Sequence, residues 1–91
     1  MEYIVFRKAL KEHIEGIIKQ YKEVSPAFDI KLHCKNHSMK YETFRKMMAG
    51  PEKSGQEWYL EYFLKVAESF SVPPEKFLKD VLKKYNEISR G

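Results

Sequence analysis

Tyr3, Phe6, Leu10, Ile14, Ile17, Tyr21 and Val24 recur at steps of three or four residues. An α-helix repeats every 3.6 residues, so such a row lies along one side of it. A strand would need strict alternation, which this stretch lacks. Gly16 weakens the helix by about 1 kcal/mol relative to Ala. Ile4, Val5 and Ile18 lie off the row and predict a second buried face. The row also has heptad spacing, but three heptads interrupted by a glycine are short for a coiled coil.

Four loop signals follow: Ser25-Pro26, Asn36-His37-Ser38, Gly50-Pro51 through Ser54-Gly55, and Val72-Pro73-Pro74. Between the first two lies a short helix over about 29–36, with Asp29 as its N-cap. A second short helix over about 40–49 has Phe44, Met47 and Met48 as its apolar side. Gly50 suits the left-handed end of that helix, and Pro51 cannot continue it. A third runs from about Gln56 to Phe70, with a stripe of Leu60, Phe63, Leu64, Ala67 and Phe70. Pro74 suits the first turn of a last helix, whose apolar face is Phe77, Leu78, Val81, Leu82, Tyr85 and Ile88. No convincing strand remains. The expectation is an all-α, compact five-helix fold with long first and last helices, forming one domain over residues 1–91.

With 43% apolar and 33% charged residues, the 91-residue chain has the composition of one globular domain. One modest core leaves little chain for an elaborate catalytic cleft. No stretch approaches the ~20 apolar residues that span a bilayer, so no membrane partner is expected. The N-terminal apolar run, Tyr3 to Phe6, has neither a basic lead nor a small-residue cleavage site. Cys34 is the one cysteine and has no internal disulfide partner. Together these features predict a cytoplasmic location.

The formal net charge is +4, and its placement is informative. Residues 31–53 hold six basic side chains (Lys31, Lys35, Lys40, Arg45, Lys46 and Lys53) and two acidic ones, Glu42 and Glu52. Elsewhere acids and bases cancel. Two short helices joined by a tight turn within a basic segment form the layout of a helix-turn-helix DNA reader. One helix enters the major groove while nearby cations neutralise phosphates.

The stretch from Phe28 to Phe77 resembles the lambda-repressor-like (Cro/repressor-type) helix-turn-helix family. Cys34 falls at the small-residue position of the family's second helix, Phe44 at the buried position of its recognition helix, and Ala49-Gly50 at that helix's end. Leu64-Lys65-Val66-Ala67-Glu68-Ser69-Phe70-Ser71-Val72-Pro73-Pro74-Glu75-Lys76-Phe77 follows the family's Ala-containing helix, Val-containing turn and acidic-then-Phe helix start. Three positions depart from the pattern: Ile30 stands where a phosphate-binding Gln is common, His33 where Leu is usual, and Ser38 where the turn usually has Gly. The resemblance implies a repressor-like transcriptional regulator that binds double-stranded DNA. The long first and last helices go beyond the family's minimum, and their expected use is packing on each other or forming a homodimer, which would match paired half-sites. The resemblance also implies a recognition helix over about 40–49, with Tyr41, Glu42, Arg45 and Lys46 facing bases. Arg pairs with guanine O6 and N7, and Glu accepts from cytosine N4. Lys31, Lys35, Lys40 and Lys53 are then phosphate contacts, which position without specifying.

Plainer readings stand beside these. Glu42 and Lys46 are spaced for an intrahelical ion pair worth about 0.2–0.5 kcal/mol. His33, Cys34 and His37 have metal-ligand spacing, but no second cysteine completes a four-ligand zinc set, and Cys34 serves as a small buried residue. Neither metal nor cofactor is expected. Trp58, Tyr3, Tyr21, Tyr59 and Tyr62 could stack on single-stranded nucleic acid, but they lie outside the basic segment and read as core or dimer surface. No nucleophile–base set, phosphate loop or carboxylate pair marks an enzyme, and no small-molecule ligand is evident. The alternatives are a protein-interaction module on the same fold, with Ile30 and the aromatic fourth helix as its surface, and a binder of RNA or single strands.

Overall fold

The computed structural model describes residues 3–49 and 60–90. Five α-helices occur among them: α1 Tyr3–Val24, α2 Ile30–Asn36, α3 Tyr41–Ala49, α4 Leu60–Ser69 and α5 Pro74–Arg90. Strands are absent among the described residues. The expected Gly50-Pro51 stop, and residues 56–59 of the expected fourth helix, lie outside them.

The helix boundaries follow local chemistry. At α2 the Asp29 carboxylate accepts from the backbone N–H of Lys31 at 3.0 Å, satisfying a donor that the first turn leaves unpaired. Pro74 occupies the first position of α5, where its missing N–H costs nothing. The ends of α2 and α4 share one device. Ser38 N–H donates to Lys35 O at 3.3 Å and Met39 N–H to Cys34 O at 2.8 Å. After α4, Ser71 N–H donates to Glu68 O and Val72 N–H to Ala67 O, at 2.8 and 3.0 Å. These paired bonds form a Schellman motif, which needs a left-handed residue just past the helix. Ser38 and Ser71 supply it, with φ of 57° and 63°. Both turns are therefore left-handed at a residue that carries a side chain.

The most extensive helix–helix contact joins α1 to α5, the two longest helices. Ala9, Leu10, Ile14 and Ile17 from α1 meet Phe63, Val66 and Ala67 from α4, Phe70 after it, and Phe77 and Val81 from α5 in one buried cluster. Cys34, Met39, Phe44 and Met47 bring α2, the turn and α3 into the same core. Each large apolar side chain buried this way contributes about 1.5–3 kcal/mol. The radius of gyration, 13.1 Å, is close to the roughly 12 Å of a compact chain this long.

Several expectations about faces change. The ends of the α1 row are open: Val24 is 88% exposed, and Tyr3 and Tyr21 are also exposed. The second buried face expected on α1 does not form: Ile4 is 76% exposed, and Ile18 only flanks the core. The helix meets its partners along the middle of one side, so residues past that contact have nothing to pack against. Leu60 and Leu82 are also exposed. Val66 and Met39, in neither expected stripe, are buried.

Candidate nucleic-acid interface

Residues 30–49 form the segment in question: a helix of seven residues, a connection over 37–40, and a helix of nine. The connection is short because the Schellman turn reverses the chain within it. Met39 follows Ser38 inward and is buried, which sets where α3 begins. Cys34 and Phe44 are buried between these elements and the rest of the core. Burial pushes the Cys34 thiol above its ordinary range, so it stays a protonated, packed group.

His33 holds α2 against the end of α4. Its ring stacks on Phe70 with centroids 4.1 Å apart and planes 15° from parallel. Its Nε2 lies 2.9 Å from Ser69 Oγ, whose own hydrogen goes to Val66 O at 2.5 Å. A hydroxyl has one hydrogen to donate, so Ser69 accepts from His33, and Nε2 is the protonated nitrogen. Phe28 and Tyr21 complete the cluster. Tyr21 meets Phe28 and Phe70 edge-on and donates its hydroxyl to Phe70 O at 3.1 Å. The His33 imidazole is therefore an aromatic packing piece with one satisfied hydrogen bond. Burial, and next the neighbouring His37, hold its pKa below the ordinary histidine value. Ile30 packs partly against the core. Among the described residues, no three His, Cys, Asp or Glu side chains are grouped as metal ligands.

The basic side chains have distinct settings. Lys31, Lys35 and Lys40 are exposed, on α2 and at the start of α3. Lys31 Nζ lies 5.2 Å from the centre of the Tyr41 ring, a cation–π contact bridging α2 and α3. Tyr41 is half-buried and packs partly against the core, so its ring forms the floor between the two helices. Arg45 and Glu42 are exposed on α3, and Lys46 is half-buried. The α3 ion pair is Arg45–Glu42: Arg45 Nε donates to Glu42 Oε2 at 3.3 Å, and a second bond joins an Arg45 terminal nitrogen to Oε1. Arg45 thus takes the carboxylate that the spacing had also offered to Lys46, because its planar fork makes two parallel bonds where an ammonium makes a point contact. The hydrogen bond from Arg45 holds the Glu42 carboxyl below its ordinary range, so it is ionised at neutral pH. Lys53 lies outside the described residues.

Sequence reasoning placed the cations but missed the aromatic cluster that positions them. Phe70 is far along the chain from Tyr21, Phe28 and His33, and only Tyr21 and Phe70 stood on expected apolar stripes. No helix among the described residues is long and apolar enough to cross a membrane. No family model, curated protein or solved structure matches this chain.

Proposed function

We propose that the protein is a sequence-specific double-stranded DNA-binding module of helix-turn-helix type, acting as a small repressor-like transcriptional regulator. One observation carries the reading. A seven-residue helix and a nine-residue helix, joined by a four-residue connection, present exposed Lys31, Lys35, Lys40 and Arg45 within one short basic segment. A nine-residue helix is narrow enough to enter the major groove, and the lysines at its start and on α2 suit the phosphates flanking it. In this reading α3 is the recognition helix of a lambda-repressor-like fold. Arg45, Glu42 and Lys46 read bases, while Tyr41 mainly supports Lys31. The module binds and does not catalyse. It works as a homodimer on half-sites about 34 Å apart, one turn of DNA.

The test is selection from a random double-stranded library, with wild type and the Arg45→Ala/Lys46→Ala variant, at low and near-physiological salt. The expected result is a two-fold-symmetric motif for wild type only. Three lysine–phosphate contacts per subunit correspond to a log–log salt slope of roughly three per half-site. Binding that enriches nothing and ignores the substitutions would refute the reading.

A further inference from the structure

Glu42 is the only acidic residue between Lys31 and Ala49, and it sits where it neutralises the segment's only arginine. Arg45 gives it two nitrogens, Nε and a terminal amino group. That is the same fork a guanine edge would receive at O6 and N7. The two side chains are 55% and 60% exposed, so the pair sits at the surface with room to exchange partners. The basic lysines of the segment are not tied up in this way: Lys31 rests on an aromatic ring, and among the described residues no ion pair engages Lys35 or Lys40.

We propose that Glu42 is a specificity filter: it withholds Arg45 from phosphates and yields it to guanine. The proposal rests on the DNA reading above. An arginine fork accepts phosphate as readily as guanine, so the discrimination lies in the fate of the released carboxylate. Against the backbone, Glu42 is left beside a phosphate with like charge and no donor. In the major groove it accepts from a cytosine N4 amino group next to the guanine. The magnitudes permit the exchange. An exposed ion pair is worth up to about five-fold in an equilibrium constant. A bidentate guanine contact is worth roughly five- to 150-fold. The pair therefore opens for the correct base and stays closed on random sequence, where the lysines alone hold the protein.

The experiment uses the full chain as wild type, Glu42→Gln, Arg45→Ala and the double variant. Each is titrated with the selected duplex and with the same duplex scrambled at the motif. Glu42→Gln is expected to tighten binding to the scrambled duplex about five-fold and to cut the selected-to-scrambled ratio by at least as much. In the Arg45→Ala background the same substitution is expected to change scrambled binding less than about two-fold, because only the loss of a charge remains. Equal effects in both backgrounds would show simple charge removal and overturn the filter. An unchanged ratio would do the same. Failure of wild type to select any sequence is a different outcome, which removes the DNA reading itself. The three variants change exposed residues only, and matching helical circular dichroism checks that all four chains fold alike.

Discussion

Replacing Ser38 by Gly should stabilise the protein, although serine looks unremarkable in a polar turn. Ser38 has φ of 57°, in the left-handed region. An L-residue there is crowded between its Cβ and the following carbonyl, at a cost of about 1–2 kcal/mol. Glycine escapes that cost but loses more chain entropy on folding, about 0.5–1 kcal/mol. The difference is a net gain of about 0.5–1 kcal/mol. For a domain of this size each kcal/mol moves the melting temperature by about 4–8 °C, so the expected rise is roughly 2–8 °C. Urea unfolding followed by circular dichroism gives the free energy directly. Ser38→Ala is the control: it removes the hydroxyl but keeps a Cβ at the same φ, and should give no gain. Ser71→Gly, at φ of 63° in the same motif after α4, should gain a similar amount. A loss of stability in Ser38→Gly, with a gain in Ser71→Gly, would show that the turn before α3 is not left-handed in solution. The spacing of α2 and α3 derived from it would then be wrong.

Three other outcomes are expected. Gly16→Ala should stabilise by about 0.5–1 kcal/mol in the same unfolding assay, since Gly16 is an exposed mid-helix position and a Cβ there meets nothing within 4 Å; a loss would mean something packs on that side of α1. Lys40 precedes α3 and its carbonyl accepts from Phe44 N–H, but its side chain has no acceptor for the first turn. Lys40→Asn should therefore raise stability by about 1 kcal/mol through capping, while lowering the salt slope of DNA binding by about 0.9; unchanged salt dependence would remove Lys40 from the phosphate contacts. Stability should also fall as pH drops below about 6.5. Burial holds His33 and His13 below the ordinary histidine value of about 6.5, and at His13 this outweighs the raising effect of Asp80, 3.8 Å away. The unfolded chain then binds more protons through this window, so stability is full above 6.5 and is lost as pH falls through the folded values. Unfolding at several pH values between about 7.5 and 5.5 measures the slope, and His13→Gln/His33→Gln should flatten it. A slope the double variant does not change would assign the acid sensitivity elsewhere.

The individual helices were legible in the sequence because their signals are local. A 3.6-residue apolar period, an Asp before Ile30 and a Pro at position 74 act within a few residues of themselves. The first and last described helices and the Asp29 cap all follow from such short-range rules. So does the concentration of cations between Lys31 and Lys53, since charge along a chain needs no fold to be counted.

Tertiary structure decided what those helices do with their faces. The period marks an apolar side but not how much of it finds a partner, so Val24 and Ile4 are open while Ala9 and Val66 are sealed. Spacing offered Glu42 two cations, and the geometry of a planar fork gave it to Arg45. His33 read as a departure from a pattern or as a stray metal ligand. Only the approach of the α4 end turned it into a stacked ring bonded to Ser69. A hydrogen bond or ring stack needs matched positions to within about an ångström. Residues 33 and 69 reach that match only after α2 and the end of α4 have packed together, which no pattern along the chain can express.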